Sequence, residues 1–353
     1  MTLEVNNHNI FLIVIVAFII SALFVPVAKK IALHIGAVDK PDKRRVNKVD
    51  MPTQGGLAIF LSFMICFILF GGMNVQMFSI LIGSFILILT GVFDGIKPIK
   101  ARYKLLAHIA ASAIVVFYGR IFLTEVTLPG IYFVLPSPVN YIFSIIFIVS
   151  IINAINLIDG LDGLCSGVSS IYFLTIAIIA FALNMLGGLD IILALIMFGA
   201  TLGFLVYNFP PAKIYLGDTG SMFLGFIIAV ISLLGFKVAT ITSLIIPLCI
   251  LAIPIFDTLL AILRRLLNGK KIGEPDKEHL HHQLLKMKFS TRTSVLIIYS
   301  INIIFAIVSI LFVLGDKQVA LLIYILLMIL LLFLVLRTDI LFNHKKDRDK
   351  NGL

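Results

Sequence analysis

The chain has 353 residues, of which 60% are hydrophobic and 13% charged, and its formal net charge is +10. A soluble globular protein is about 45–50% apolar and about 25% charged, so this composition excludes an ordinary soluble enzyme and predicts a polytopic membrane protein. The three cysteines, Cys66, Cys165 and Cys249, lie far apart in or beside apolar runs. Their spacing fits neither a metal site nor a disulfide framework, and we interpret them as packing residues.

Apolar runs of about 20 residues, the length that crosses a bilayer, define the predicted architecture. We predict an all-α bundle of eleven transmembrane helices with no soluble domain, so that residues 1–353 form a single membrane domain. The predicted spans are residues 9–28, 55–72, 76–93, 105–123, 139–157, 166–187, 189–208, 220–237, 240–262, 295–314 and 318–337. The first follows Glu4 and no basic residue, which favours a retained span over a cleaved signal peptide.

Basic residues segregate to alternate loops. Of the 28 Lys and Arg, only Arg120, Lys237 and Lys317 fall on one side of this span arrangement. Cytoplasmic loops are rich in Lys and Arg, so the N-terminus is predicted outside and the C-terminus inside. Basic loops beside anionic lipid headgroups account for the net charge without nucleic acid. The predicted cytoplasmic segments are residues 29–54, 94–104, 158–165, 209–219 and 263–294 and the tail 338–353.

Carboxylates gather at the predicted cytoplasmic ends of the spans, although acidic residues are costly in a membrane and usually mark function there. They are Asp94, Asp159, Asp162, Asp218 and Asp257. Mg²⁺ prefers hard oxygen ligands and often bridges carboxylates to substrate phosphates. The common depth therefore predicts a divalent-cation site that faces the cytoplasm. Taken alone, Asp218, followed by Thr-Gly-Ser, also fits an ordinary helix N-cap.

The stretch "IINAINLIDGLDG", residues 151–163, has a polar residue at every third position. These residues are Asn153, Asn156, Asp159 and Asp162. Residues three apart are neighbours on a helix surface, so they form a polar edge, and the two glycines that follow predict a turn open to a ligand. An ordinary polar turn is the alternative. The two asparagines inside an apolar span favour a binding site.

The long cytoplasmic segment 263–294 contains "EPDKEHLHHQLL". Its histidines are His279, His281 and His282, and Arg264 and Arg265 precede them. No cysteine accompanies them, so binding of a polyanion is better supported than a zinc site, and a solvated loop is the third interpretation. Basic groups opposite an acidic metal site are the arrangement used in phosphoryl transfer.

Five motifs follow one another along the chain. They are "MPTQGG" at 51–56, "FDG" at 93–95, "NAINLIDGLDGL" at 153–164, "YNFPPAKIYLGDTGS" at 207–221 and "PDKEHLHH" at 275–282. On these motifs nearly the whole chain resembles the polyprenyl-phosphate N-acetylhexosamine-1-phosphate transferases, the membrane family of phospho-MurNAc-pentapeptide translocase. The His-X-His-His form resembles the branch that uses UDP-GlcNAc. Within that branch, the overall similarity is greatest to the transferases that initiate wall teichoic acid synthesis.

The resemblance implies transfer of GlcNAc-1-phosphate from UDP-GlcNAc to undecaprenyl phosphate at a bacterial plasma membrane, with Mg²⁺ or Mn²⁺ as cofactor. The implied products are undecaprenyl-diphosphate-GlcNAc and UMP. The implied partners are the two substrates and membrane lipid, with no nucleic acid, and a homodimer stays open. The alternatives are a UDP-MurNAc-pentapeptide transferase and, in a different class, an ion-coupled transporter. Transporter sites usually lie at the midplane between inverted repeats, and we find no convincing repeat.

The resemblance also assigns roles to single residues. The implied metal ligands are Asp94, Asp159 and Asp218. The implied catalytic residues are Asp94, Asp159, Asp162, His281 and His282. The implied substrate-binding residues are Lys48, Thr53, Asn153, Asn156, Asn208, Tyr215, Arg264, Arg265 and His279.

One position departs from the family pattern. After the third span the family typically has two adjacent aspartates, whereas here Asp94 is followed by Gly95. Either Asp94 suffices, or the chain is an impaired variant. We favour impairment, because a hard cation that keeps several waters depends on few protein oxygens. Folding should change little, since a glycine costs a helix about 1 kcal/mol or less.

Overall fold

The computed structural model describes residues 3–39, 50–128, 131–183, 185–235, 250–267, 269 and 279–337. Within these residues the chain is almost entirely helical. The helices are α1 (Ile10–His34), α2 (Gly56–Phe70), α3 (Val75–Ile96), α4 (Ala101–Ala113), α5 (Val139–Leu157), α6 (Leu164–Ala182), α7 (Leu189–Asn208), α8 (Gly217–Gly235), α9 (Ala252–Leu267), α10 (Leu280–Lys286), α11 (Thr291–Leu314) and α12 (Lys317–Arg337). A π-helical segment, Ile114–Tyr118, continues α4.

Three short antiparallel strand pairs lie before or between the helices of the described ranges, and the all-α prediction omits them. The strand pairs are β1 (Glu4–Val5) with β2 (His8–Asn9), β3 (Val38–Asp39) with β4 (Met51–Pro52), and β5 (Glu125–Leu128) with β6 (Ile131–Val134). Strands of two to four residues are too short to show the alternation of apolar and polar residues that marks a strand in a sequence.

The helices make this a polytopic helical membrane protein. Eight of those in the described ranges are long and apolar enough to cross a bilayer: α1, α3, α4 with its π-helical extension, α5, α6, α7, α8 and α11. Two further apolar helices, α2 and the first 17 residues of α12, are shorter. All eleven predicted spans therefore overlap a helix, although the span 240–262 does so only through α9. The first part of that span, residues 240–249, lies outside the described residues.

Helix α8 lies at the centre of the bundle. Every residue from Thr219 to Leu234 is buried, and the main helices around it are α2, α3, α5, α6 and α7. A helix that is apolar on all sides is expected in such a position. The first turn of α8 carries Asp218, so the core of the protein fixes the position of this carboxylate.

Helices α1 and α7 approach each other closely through two glycines of α7. A Cβ atom on Gly199 would collide with the carbonyl oxygen of Val14, and one on Gly203 would collide with that of Phe18. Small residues four apart let helix backbones approach closely in a membrane. The contact between α1 and α7 therefore depends on the absence of side chains at these positions.

We expect Gly199→Val to destabilise the protein, because the added carbons meet rigid backbone of α1 and not the end of a flexible side chain. Overpacking of this kind costs about 1–3 kcal/mol. The measurement is the free energy of unfolding in detergent micelles. Gly187→Val is the matched control, since a Cβ at Gly187 has no atom within 4 Å. Equal stability of the two variants would contradict the proposed close packing.

Candidate active site

An ammonium group joins two carboxylates where α3, α4 and α8 meet. Lys104 Nζ lies 2.9 Å from Asp94 Oδ2 and 2.6 Å from Asp218 Oδ2. The other oxygen of Asp94 accepts a hydrogen bond from the Ile99 backbone N–H at 2.9 Å. Asp94 lies near the end of α3, Lys104 in the first turns of α4 and Asp218 at the start of α8. Residues distant in sequence thus form one compact charged centre.

Asn156 connects α5 to this centre. Its Nδ2 donates to Asp218 Oδ1 at 3.2 Å and to Ser221 Oγ at 2.8 Å. We call Asp94, Lys104, Asn156 and Asp218 the acid–lysine centre. Both oxygens of Asp218 are therefore engaged by protein groups that donate hydrogen bonds.

The backbone before Asp218 requires a glycine. Gly217 has φ +68°, in the left-handed region that glycine tolerates best. A Cβ there would also collide with the carbonyl oxygen of Thr53. The segment that precedes α2 packs along the same loop, because Gly55 N–H donates to Tyr215 O at 3.0 Å. The motif "MPTQGG" at residues 51–56 thus lies against the loop that carries Asp218.

The turn between α5 and α6, residues 158–163, carries two more carboxylates, and we call it the acid turn. Asp162 Oδ2 accepts a hydrogen bond from the Ala212 backbone N–H at 3.0 Å. Gly163 has φ +75°, and its carbonyl oxygen accepts a hydrogen bond from the Tyr299 hydroxyl. Contacts from the α7–α8 loop and from α11 therefore hold the acid turn in place.

Asn208 also holds the acid turn. Its Oδ1 accepts hydrogen bonds from Gly163 N–H at 3.1 Å and from Ser166 Oγ at 2.8 Å. Its Nδ2 donates to Ile214 O at 3.0 Å, and the residue is buried. The resemblance implies that Asn208 binds substrate, but in the structure its oxygen accepts two hydrogen bonds and its nitrogen donates one, all with protein groups. Its observed task is structural, and a contact with the nucleotide stays a prediction.

The carboxyl groups of the acid turn are held in an unfavourable environment for negative charge. Burial, with the charges of Asp218 and Asp162 adding to it, raises the pKa of Asp159 to about 8. Burial also raises the pKa of Asp162, although the hydrogen bond from Ala212 opposes this shift. Nearby negative charges and loss of water both disfavour the ionised form of a carboxyl group. The Asp159 carboxyl group is therefore largely protonated at pH 7.

The oxygen atoms of the acid–lysine centre fit Mg²⁺, which takes hard oxygen ligands. Lys104 already holds a positive charge between Asp94 and Asp218, so a metal ion bound by both would require this ammonium group to move aside. Among the described residues, no three His, Cys, Asp or Glu side chains are arranged to hold a metal ion. The structure therefore joins two of the three implied ligands and does not add Asp159 as the third.

The histidine segment, residues 279–282, lies against the acid turn, with His279 and His281 buried. His279 Nδ1 lies 2.9 Å from Asp257 Oδ2 on α9. The rings of His279 and His281 are parallel, with centroids 5.7 Å apart, and those of His281 and His282 are 4.2 Å apart. The three imidazoles thus form one cluster, with His282 tilted by 46° to the other two rings and His279 held by a carboxylate.

His281 makes the contact between the histidine segment and the acid turn. Its ring lies directly against Gly160, where a Cβ atom would collide with Nε2. Nε2 is buried and has no hydrogen-bond partner among the described residues. Burial, reinforced by neighbouring His282, lowers the pKa of His281 to about 3, so this imidazole is neutral at pH 7. A cationic contact of His281 with a diphosphate would need this pKa to rise on substrate binding, and it stays a prediction.

The other predicted binding residues are more scattered. Thr53 Oγ1 donates to Ala37 O at 3.0 Å, and Asn153 Nδ2 donates to Val149 O of its own helix at 2.7 Å. Tyr215 is half-buried beside β4. Arg264 and Arg265 are buried in the last turn of α9. Lys48 lies outside the described residues.

The sequence analysis did not assign a role in the site to two residues, Lys104 and Asp257. Lys104 was counted only as a basic loop residue, and Asp257 only as one more acid at a span end. A charged residue inside a spanning helix is a signal of function, and Lys104 lies in the helix that continues to Tyr118. The signal was available, but the predicted boundary at residue 105 hid it.

Comparison with known proteins agrees with the resemblance. The family model described as "Glycosyl transferase family 4" matches residues 77–236. The chain is 42% identical over 310 residues to a probable undecaprenyl-phosphate N-acetylglucosaminyl 1-phosphate transferase of Bacillus subtilis (strain 168), with 83% of each chain covered. It is 30% identical over 300 residues to a decaprenyl-phosphate N-acetylglucosaminephosphotransferase of Mycobacterium tuberculosis (strain ATCC 25618 / H37Rv), covering 77% of this chain and 74% of the relative.

A more distant relative shows the same relationship. The undecaprenyl-phosphate alpha-N-acetylglucosaminyl 1-phosphate transferase of Escherichia coli (strain K12) is 26% identical over 293 residues, covering 80% of this chain and 78% of the relative. The family-model match, residues 77–236, includes the acid–lysine centre and the acid turn. The chain therefore belongs to glycosyl transferase family 4, the polyprenyl-phosphate N-acetylhexosamine-1-phosphate transferases, and is a phosphoglycosyl transferase of the membrane.

Proposed function

We propose that the chain transfers GlcNAc-1-phosphate from UDP-GlcNAc to undecaprenyl phosphate and releases UMP, as the first step of the wall teichoic acid linkage unit. The names of the relatives in Bacillus subtilis and Escherichia coli support this donor and this acceptor. The observation that carries the proposal is the acid–lysine centre, which gathers hard oxygen atoms and a cation at the ends of three helices. Such a centre suits the transfer of a phosphoryl group between two anions.

The site is proposed to face the cytoplasm of a bacterial plasma membrane, in a protein of eleven spans with its N-terminus outside. The end of α3, the start of α4, the end of α5 and the start of α8 all contribute to one cluster. They must therefore lie on the same side of the membrane. The segregation of Lys and Arg supports the cytoplasm for that side. UDP-GlcNAc would reach the site from there, and the lipid phosphate from the surrounding bilayer.

The main barrier to the proposed reaction is the repulsion between two phosphate groups. A phosphate monoester has a second pKa near about 6, so the acceptor is largely a dianion at neutral pH and needs no strong general base. Mg²⁺ held by Asp94 and Asp218 would supply positive charge to the phosphates. The Lys104 ammonium group would move aside for the metal ion and supply a second positive charge beside it, and Asn156 orients Asp218. These residues keep the charge in position before the substrates arrive.

The proposed bond changes are a direct in-line displacement. An oxygen of the acceptor phosphate forms a bond to the sugar-bearing phosphorus of UDP-GlcNAc, and the bond from that phosphorus to the bridging oxygen breaks. UMP leaves with the bridging oxygen. A covalent aspartyl-phosphate intermediate is the rival route. Inversion at the phosphorus of a chiral donor supports the direct route, and retention supports the covalent one.

The test of the function is a panel of donors with undecaprenyl phosphate in nanodiscs, with release of UMP as the measurement. We expect release from UDP-GlcNAc only, and only when the lipid acceptor is present. Asp218→Asn serves as the inactive control, because it removes a carboxylate of the acid–lysine centre without altering a spanning surface. Release from UDP-MurNAc-pentapeptide alone would move the proposal to that branch. Absence of release from every donor would contradict the proposed transfer.

Metal dependence is a separate prediction. We expect EDTA to abolish UMP release and added Mg²⁺ or Mn²⁺ to restore it, because Asp94 and Asp218 supply hard oxygen ligands. Binding of Mn²⁺ is measured independently of turnover by electron paramagnetic resonance. We expect Asp218→Asn to bind Mn²⁺ more weakly than the unchanged protein. Full turnover in chelator, or equal Mn²⁺ binding by both proteins, would contradict this metal site.

The structure sharpens the prediction for Gly95. A Cβ atom there would meet the side-chain amide of Gln54, which is buried and has no hydrogen-bond partner among the described residues. The amide lies at the end of a side chain that can shift, and its N–H groups could donate to a carboxylate at position 95. We therefore expect Gly95→Asp to raise turnover about tenfold or more, a barrier change of about 1.4 kcal/mol, with unchanged thermal stability.

Gly95→Asn is the matched control for this prediction, because it has nearly the same shape as aspartate but no charge. We expect it to fold like Gly95→Asp and to show no comparable rise in turnover. If Gly95→Asp is no faster than the unchanged protein, Asp94 alone serves the site.

A further inference from the structure

A buried carboxylate on α9 has no role in the proposed transfer described so far. Asp257 is only 4% exposed, on the buried side of a helix whose last turn also buries Arg264 and Arg265. A buried charge is costly unless it is paired and hydrogen-bonded. Both of its oxygens are engaged: Oδ2 lies 2.9 Å from His279 Nδ1, and Oδ1 accepts from the Leu280 backbone N–H at 3.0 Å. Asp257 thus joins α9 to the histidine segment through two atoms.

The pair also determines which nitrogen of His279 carries hydrogen. An ionised carboxylate only accepts hydrogen bonds, so His279 Nδ1 is the donor, and in the neutral ring Nε2 is left as an acceptor. The second bond, from Leu280 N–H, fixes the first residue of α10. One side chain therefore sets both the ring orientation and the start of the helix that follows.

The effect of this pair extends to the acid turn. The ring of His281 is parallel to that of His279, with an angle of 1° between their planes. The opposite side of the contact is Gly160, which has no side chain to separate His281 from the backbone of the turn. A change in the orientation of His279 would therefore displace His281, and His281 would displace the backbone between Asp159 and Asp162.

We propose that Asp257 is a positioning residue of the active site: by fixing the orientation and tautomer of His279, it holds the histidine segment against the acid turn. This inference rests on the proposed function, since the acid turn is taken there as part of the transferase site. It assigns Asp257 no contact with substrate. Misplacement of reacting groups by about 1 Å can cost about a hundredfold in rate, so a residue of this kind affects turnover from a distance.

Asp257→Asn separates this role from a purely structural one. Asparagine keeps an oxygen that accepts from Leu280 N–H, so the start of α10 is preserved. Its amide N–H group faces His279 Nδ1, which must then become the acceptor, and the hydrogen moves to Nε2. A residue that served only to begin α10 would tolerate this change.

The experiment compares kcat and KM for UDP-GlcNAc in nanodiscs. We expect Asp257→Asn to lower kcat about tenfold or more while KM changes less than about threefold. The ¹⁵N resonances of His279 should report a change from the Nδ1–H to the Nε2–H tautomer. Asp190→Asn is the matched control, because it neutralises a carboxylate at the start of α7, the end opposite Asn208. It should leave kcat unchanged.

A double-mutant cycle completes the test. His279→Gln alone should lower kcat as Asp257→Asn does, and the double variant should lose no more than the larger single loss, since both changes disrupt one unit. His279→Gln also carries the test if Asp257→Asn fails to fold. Unchanged kcat in either single variant, or additive losses, would overturn the inference. Release of UMP by the unchanged protein tests the proposed function separately in the same preparations.

Discussion

Two carboxylates at the end of a membrane bundle repel each other, and the ammonium group of Lys104 is what keeps Asp94 and Asp218 together. Their side chains are 16% and 26% exposed, so water screens this interaction only in part. Asp218 cannot relieve the repulsion by moving, because it begins a helix that the core surrounds. One bridging cation therefore offsets the repulsion between the two carboxylates where α3, α4 and α8 meet.

The sequence was sufficient to predict most of the fold. Long apolar runs fix the helices, because crossing a bilayer requires a nearly continuous apolar segment and leaves few alternatives. The acids at span ends were also correctly placed on one side of the bundle, since Asp94, the acid turn and Asp218 lie at neighbouring helix ends. What the sequence could not show was which side chains pair. Lys104 and Asp218 are 114 residues apart, and no periodic pattern in the sequence indicates that they form a hydrogen bond.

Asn208 illustrates the same limit. An amide in an apolar segment indicates that a polar partner exists, but the pattern does not distinguish a ligand from a backbone group. Here the partners are Gly163 N–H and Ile214 O, groups that must be satisfied wherever two loops pack together away from water. Asn153 behaves similarly, since it donates to a carbonyl of its own helix. Polar residues near the site thus divide into those that could meet substrate and those that hold the loops in place.

The burial of α8 has a consequence for the biogenesis of the protein. Its main packing partners, α2, α3, α5, α6 and α7, all precede it in the chain. During synthesis they reach the membrane first, so α8 leaves the insertion machinery when its neighbours are already present. Two hydroxyl groups of α8 meet polar groups on these earlier helices: Ser221 Oγ accepts a hydrogen bond from Asn156 Nδ2 on α5, and Ser232 Oγ lies 2.8 Å from the Tyr172 hydroxyl on α6. The order of the helices along the chain therefore lets the central segment, with the key carboxylate at its start, insert directly among protein partners.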